Sequence, residues 1–487
     1  MARFEVLFTA ENPSAEYPEG LPIGADWTST VDTAPVVFPY DGSVVGQAPV
    51  GTPELARKAI DEAVAVAREV AALPSRTRRS ILNDVAAAVA SRRAEFEQLL
   101  VLETGKPLVD CRVEVARTIV TWQAAAEEVS RLHGETVPLD LLPSGDGLVG
   151  FWKRKPIGIV VGIAGFNYPL LLASHKIAPA VAAGCPVVVK PAPQTPLATL
   201  WLVHLVRSVT DVPTMVQLVT GDASVGSALV TDRRIGAVSF TGSAAVGHRI
   251  ARDAAPTKTL LELGSNAALV VAEDADLDAA ADAVLRGGFY ASGQACISVQ
   301  RLLVVDAVAD EFTERVLSRL GEVVIGDPRD EKTRVSALID EGSTQRVLDW
   351  VDKATSSGAR LLAGGSAEGP VIRPTVLADV PDGVDCWDEE IFGPVVCLRT
   401  VSDVDSAFAA VNASRYGLHA SVFSRSLNTA FRALDELEVG GVVINEVPGF
   451  RSDTMPYGGV KDSGIGREGP RFAVEELTVT RMAVLRP

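Results

Sequence analysis

Ile157-Gly158-Ile159-Val160-Val161-Gly162-Ile163-Ala164-Gly165-Phe166-Asn167-Tyr168-Pro169 reads as an apolar strand that breaks at a glycine and hands over to a helix. The helix is expected over 168–183, a strand over 186–190, a helix over 196–209 and a strand over 216–220. A helix over 224–231 and a strand over 237–240 follow, then a glycine turn and a further helix. Strands regularly spaced by helices mean a parallel sheet covered on both faces. The expected fold class is therefore α/β.

Upstream, residues 1–50 are rich in Pro, Gly and Thr and read as loops with short strands. Thr52-Pro53-Glu54 has the form of an N-cap with proline at the first helical position. Ala-rich helices run on through Arg93, and another over about 94–103 is stopped by Thr104-Gly105-Lys106-Pro107. A long helix over about 109–132 ends near His133-Gly134. Residues 137–152 form a hairpin around Ser144-Gly145-Asp146-Gly147, with Leu141, Leu142 and Trp152 exposed in a way that suits subunit pairing. Downstream, a second α/β region begins near Ala267 and runs to about Asn445. The tail, 478–485, is strand-like and is expected to pair with the hairpin of a neighbouring subunit.

A chain of 487 residues is too long for one core and points to two or three domains. Hydrophobic residues at 47% and charged residues at 22% describe a globular protein. A net charge of −17 argues against nucleic acid and anionic membranes as partners. The longest apolar runs carry Gly or Pro and are too short to span a bilayer. Met1-Ala2-Arg3-Phe4-Glu5 has no cleavable apolar core behind it, so no signal peptide is expected. Cys111, Cys185, Cys296, Cys386 and Cys397 are widely spaced with no CxxC pair, which indicates neither a disulfide framework nor a metal site and fits a reducing cytoplasm.

Four places can carry chemistry. Gly287-Gly288-Phe289-Tyr290-Ala291-Ser292-Gly293-Gln294-Ala295-Cys296 sets one cysteine among small residues ahead of an apolar run. Its thiol is either a packed small hydrophobe or an approachable nucleophile. Glu262, at the end of Thr259-Leu260-Leu261, is either a solvated strand-end acid or a carboxylate partly removed from water that can act as a base. Asn167 is either a turn residue or a donor to an oxyanion. The turn Ser239-Phe240-Thr241-Gly242-Ser243-Ala244-Ala245-Val246-Gly247 joins strand to helix as a dinucleotide site does, although many such turns only pack a helix on a sheet.

Glu262-Leu263-Gly264-Ser265-Asn266, the cysteine stretch and Glu389-Glu390-Ile391-Phe392-Gly393-Pro394 jointly resemble the aldehyde dehydrogenase superfamily. Met455-Pro456-Tyr457-Gly458-Gly459-Val460-Lys461-Asp462-Ser463-Gly464, with Arg467-Glu468, is a late signature. The resemblance extends from about residue 36 to the end. It implies a Rossmann-type cofactor domain over 1–134 and 157–262, a catalytic α/β domain over 263–470, and a small β oligomerisation unit over 135–156 and 471–487. It further implies a homodimer or homotetramer and NAD or NADP as cofactor. Cys296 is then the nucleophile, Glu262 the base, and Asn167 an oxyanion donor with the Cys296 N–H. Lys190, Gly242, Ser243, Glu390, Phe392, Phe166 and Pro193 would surround the cofactor. Two positions depart from the pattern. Ser265 replaces the more usual second glycine, and Pro193 stands where NAD-preferring members usually carry a Glu that repels a 2′-phosphate, so NADP is permitted. CoA-acylating relatives typically lack the counterpart of Glu262, so hydrolysis is favoured over acyl transfer.

The motifs lie closest to the branch containing lactaldehyde, non-phosphorylating glyceraldehyde-3-phosphate and phosphonoacetaldehyde dehydrogenases. Counting from the matched motifs puts Arg117, His175 and Arg451 at lining positions of the substrate pocket, with Tyr168 beside them. Cations there would hold an anion. The alternatives are a solvated helix face for Arg117 and a surface loop for Arg451. Arg301 reads as structural. The expected substrate is a short aldehyde bearing a phosphonate, phosphate or carboxylate. The competing readings are a neutral or hydroxy-aldehyde and a CoA-acylating semialdehyde dehydrogenase.

Overall fold

Strand Ile159–Ile163 is buried at every position, as a continuous run of Ile, Val and Gly requires of a strand covered on both faces. In the computed structural model, which describes residues 20–487, it lies inside a six-stranded sheet. From edge to edge the order is Gly464–Ile465, Lys258–Glu262, Ile235–Thr241, Ile159–Ile163, Val187–Lys190 and Val216–Leu218. All neighbours are parallel except the short edge strand, which is antiparallel. The chain steps outward from Ile159–Ile163 through the next two strands and then returns to its other side. That reversal opens a crevice at the carboxyl ends of Ile159–Ile163 and Ile235–Thr241, where ligands of open α/β sheets bind.

A seven-stranded sheet follows, ordered Arg360–Ala363, Thr375–Ala378, Val395–Val401, Arg301–Val305, Ala268–Val271, His419–Phe423 and Gly441–Ile444. It too is parallel apart from its first strand. Alternation along the strands feeds two cores. Val270, Leu303 and Val422 pack on one face, and Leu269, Leu302 and Val304 on the other. Arg301, expected to be structural, donates to Asn266 O and Ala410 O at 3.0 Å each.

A third sheet corrects one expectation. Thr478–Leu485 pairs along its whole length with Val149–Pro156 of its own chain, from Thr478 opposite Pro156 to Leu485 opposite Val149. Glu135–Val137 adds the other edge. A self-complementary tail and a neighbour's hairpin have the same sequence pattern, and intrachain proximity decides between them here. Leu141 and Leu142 are exposed as expected, but Trp152 is half-buried. The long helix is α-helical over Leu108–Glu128 and tightens to a 3₁₀ turn over Val129–Arg131. Thr52 caps Pro53–Ala72 through Leu55 N–H at 3.3 Å. The expected absence of a signal peptide concerns Met1–Glu5 and lies outside the described residues. Among the described residues no helix is long and apolar enough to cross a membrane.

Buried charge ties the helical layer to the first sheet. Glu114, on the long helix, accepts from Leu170 N and Leu171 N at 2.9 and 3.1 Å, the open N-terminus of helix Pro169–Ala183. Its other oxygen pairs with Lys106, whose ammonium also reaches Asn167 O at 2.8 Å. Glu103 does the same for Leu197–Ser208, accepting from Leu197 N and Ala198 N. Glu114→Ala strands a buried ammonium and two helix N–H groups, so denaturant unfolding should show a loss of about 3–5 kcal/mol. A loss below ~1 kcal/mol would mean that Glu114 does not hold these groups together.

Candidate active site

A cavity of about 760 Å³ opens at the reversal in strand order. The first sheet contributes Gly165, Phe166 and Asn167 after Ile159–Ile163, Thr241, Gly242 and Ser243 from the end of Ile235–Thr241, and Glu262 from Lys258–Glu262. Cys296, Glu390, Phe392, Arg451 and Tyr457 face them from the other side.

The chain reaches Cys296 through three consecutive left-handed residues, Ala291 (φ 49°), Ser292 (φ 56°) and Gly293 (φ 74°). Two of them carry a Cβ and persist there because their surroundings overdetermine them. Asp110 accepts from Ala291 N at 2.9 Å, and Ser292 Oγ accepts from Ser336 N at 2.9 Å. At Gly293 a Cβ would lie 2.1 Å from Gly393 O, so only glycine fits. Asn167 Nδ2 donates to Gln294 O at 2.8 Å, which fixes the amide two residues before the cysteine and leaves its second hydrogen available.

Cys296 Sγ lies 3.1 Å from the Tyr457 hydroxyl, in a small apolar cluster with Ile297 and Leu418. Burial pushes the thiol up to about 12, with the Tyr457 contact and Arg451 opposing and Glu390 and Glu262 reinforcing. Glu262, at the end of its strand, has one oxygen with no partner. Burial, then the nearby Glu468 carboxylate, raise it well above the usual carboxylate range, although Lys176 and Arg451 oppose. Glu468 goes the other way. Burial alone would raise it, but Lys176, His175 and Arg451 outweigh that and hold it ionised.

The expected cofactor residues fall into two groups. Gly242, Ser243, Phe166, Phe392 and Glu390 line the cavity. A Cβ on Gly242 would meet the Phe240 ring at 2.5 Å, and one on Gly247 would meet Leu263 at 2.3 Å. Helix Ala244–Ala254 therefore lies close on the sheet, and its N-cap Ser243 makes no side-chain capping bond. These features suit a pyrophosphate at an open helix N-terminus. Phe166 and Phe392 meet edge to face at 5.6 Å. Glu390 accepts from Ser265 N at 3.0 Å, and burial raises it to about 7. Lys190 and Pro193 do not line the cavity. Lys190 ends the adjacent strand, where burial lowers its ammonium to about 8, and Pro193 is exposed.

Arg117, His175, Arg451 and Tyr168 all line the cavity. Their cations are not free, however. Arg117 forks onto Asp453 at 3.1 and 2.8 Å. Arg451 donates to Glu468 Oε2 at 3.3 Å and stacks 3.6 Å over the Tyr457 ring. His175 stands 3.1 Å from Glu468 and 3.6 Å from Asp453, with neither contact aligned as a hydrogen bond. Lys106 stacks 3.6 Å over Tyr168.

Sequence reasoning missed Asp453 altogether. It left Tyr457 and Glu468 inside a signature without a task. One signal was readable: Lys176 sits in a helix buried at every position, and a buried ammonium demands an anion.

The sequence profile of the aldehyde dehydrogenase family matches residues 27–483. The chain is 37% identical over 467 residues to 3-sulfolactaldehyde dehydrogenase of Priestia megaterium, covering 96% of this chain and 98% of that protein. It is also similar to aldehyde dehydrogenase 21 of Physcomitrella patens, solved in complex with the reaction product succinate. That match has 38% identity, a TM-score of 0.93, and 96% and 98% of the two chains covered. Glyceraldehyde-3-phosphate dehydrogenase GapN of Methanocaldococcus jannaschii, solved with NADP, matches with 34% identity and a TM-score of 0.90, over 94% of this chain and all of the other.

A thiol raised this far is neutral at ordinary pH, and only the thiolate alkylates. In the cofactor-free protein, the rate of iodoacetamide labelling at Cys296 should climb about tenfold per pH unit from about pH 7 to about 9.5 without levelling. A plateau near neutrality would show that the thiol is already ionised.

Proposed function

This chain belongs to the aldehyde dehydrogenase family, and we propose that its substrate is a short aldehyde carrying an anion at the far end. The family activity is NAD(P)-dependent oxidation of an aldehyde to a carboxylate. The observation that carries the substrate reading is Arg451. Its guanidinium lies over the ring whose hydroxyl touches Cys296 Sγ, its side chain is 6% exposed, and its Nε has no hydrogen-bond partner, the nearest carboxylate oxygen being Asp453 Oδ1 at 4.0 Å. A buried, partly unpaired guanidinium one phenol ring from the nucleophile is a seat for carboxylate, sulfonate or phosphate. The sulfolactaldehyde-oxidising relative and the succinate complex support the same chemistry.

In this reading the Cys296 thiol gives up its proton to water, and the thiolate adds through sulfur to the aldehyde carbon. The free Asn167 amide hydrogen and the Cys296 N–H donate to the oxygen that becomes negative. A bound NAD(P)⁺, cradled at Gly242 and Ser243 between Phe166, Phe392 and Glu390, would accept hydride. Lys190 and Pro193 would meet the adenosine end. Glu262 takes a proton from the water that cleaves the resulting Cys296 thioester. Its raised pKa makes it a stronger base, once ionised, than an exposed carboxylate. The parts of the chain divide accordingly into a cofactor side before about residue 263, a catalytic side after it, and a pairing unit built on Val149–Pro156 and Thr478–Leu485. A homo-oligomer belongs to the reading. Leu427, Phe431 and Leu434 form an exposed apolar stripe beside the open edge strand Gly441–Ile444, a surface suited to a second copy. The five free cysteines support a reducing, cytoplasmic setting.

Two measurements test these roles. Glu262→Gln should still release one burst of reduced cofactor per site while steady turnover falls about 10²–10⁴-fold; turnover at the wild-type rate would remove Glu262 from the base role. Arg451→Ala should cost about 2–4 kcal/mol more in kcat/KM for succinic semialdehyde than for butanal. Equal losses for the two would refute the anionic reading.

A further inference from the structure

We propose that the Tyr457 hydroxyl is a catalytic group: it donates to the Cys296 sulfur once the thiol has ionised and steadies the negative charge there until carbon takes it. The inference rests on the reading of Cys296 as the nucleophile and adds to it. It does not depend on the charge of the substrate. The hydroxyl stands 3.1 Å from Sγ, on a residue that is 2% exposed and lines the cavity. Among the described residues this is the one hydrogen bond that the hydroxyl makes. At rest either group can donate to the other. A thiolate has no hydrogen, so after ionisation only the phenol can donate. A hydrogen bond to a charged acceptor is stronger than one between neutral groups.

The phenol is held in place before the reaction begins. Its backbone is bonded to Glu468 in both directions, at 3.1 and 2.6 Å. The His419 ring meets it edge to face at 5.1 Å, and the Arg451 guanidinium lies 3.6 Å over its face. A cation over the ring draws electron density from it and makes the O–H a better donor. Burial keeps the phenol well above its usual range, so it remains protonated. The charged side chains that face the sulfur are divided, Arg451 favouring the thiolate and Glu390 and Glu262 opposing it. Tyr457 adds a neutral donor to that balance. In the addition step the thiol proton passes to water, a sulfur lone pair forms the C–S bond, and the carbonyl π pair moves to oxygen. The phenol keeps its proton throughout. When water later cleaves the thioester, the C–S bond breaks and the same hydroxyl meets the departing thiolate, which regains a proton from water.

Iodoacetamide labelling of Cys296 in the cofactor-free protein at about pH 8, read by mass spectrometry, tests this in the wild type, Tyr457→Phe and Tyr457→3-fluorotyrosine. Losing the bond should cut the thiolate population about tenfold. The thiolate that remains is more nucleophilic, so the Tyr457→Phe rate should fall about threefold. The 3-fluorotyrosine phenol has nearly the same shape and is more acidic, and should label faster than wild type. The burst of reduced cofactor with NAD(P)⁺ bound should follow the same order. A ring that only packs would not respond to phenol acidity. A Tyr457→Phe rate at or above wild type, or a 3-fluorotyrosine rate no higher than wild type, overturns the proposal. If Tyr457→Phe does not fold, the 3-fluorotyrosine comparison decides alone. Cys296→Ala that still oxidises aldehyde at the wild-type rate would instead remove the nucleophile reading, whatever the labelling order.

Discussion

A carboxylate shut away from water must be met by cations, and Glu468 is where this chain meets that requirement. Its partners come from distant places. Lys176 and His175 lie on helix Pro169–Ala183, and Arg451 comes from the loop ahead of Tyr457. Its backbone bridges Tyr457 in both directions, Glu468 N to Tyr457 O at 2.6 Å and Tyr457 N to Glu468 O at 3.1 Å. The same residue therefore pins the late segment to the first sheet and holds the phenol against Cys296. Lys176 also donates to Thr241 Oγ1 at 2.7 Å, which carries the constraint to the turn at Gly242 and Ser243.

The pairing separates two neighbouring carboxyl groups by environment. Glu468 takes the cations and stays ionised, and its charge helps push Glu262 the other way. Groups whose surroundings drive their pKa values apart can supply both a fixed charge and a proton acceptor, as the proposed roles of Glu468 and Glu262 require. The thiol follows the same logic. Cys296 sits in an apolar cluster whose burial raises its thiol, so the proposed nucleophilic role requires a positive charge near the sulfur when it ionises.

The far end of the cavity is governed by balance rather than by a bare cationic patch. Arg117 and Arg451 converge as the resemblance implies, but two buried carboxylates, Asp453 and Glu468, hold them in place. Rigid pairing fixes the direction of each guanidinium, and a prepositioned donor loses less entropy on binding than a free side chain. That would tie the geometry of the proposed anion seat to Asp453 and Glu468 behind it.

The sequence alone determined the α/β class and the strand succession from 157 to 241, because apolar runs and glycine breaks are local signals. It also offered Cys296, Glu262 and Asn167 as candidates whose roles the resemblance to aldehyde dehydrogenases implied, and the same resemblance put Arg117, His175 and Arg451 at lining positions of one pocket. Only the tertiary structure decided what those cations face. Arg117 and Asp453 are 336 residues apart, and Lys176 and Glu468 are 292 apart. With 62 acidic residues in the chain, no spacing rule selects those two. The tail shows the same limit, since a strand pattern states that Thr478–Leu485 will pair but not with which chain. Periodicity is written locally, whereas the partner of a buried charge is chosen by which surfaces the packed sheets exclude from water.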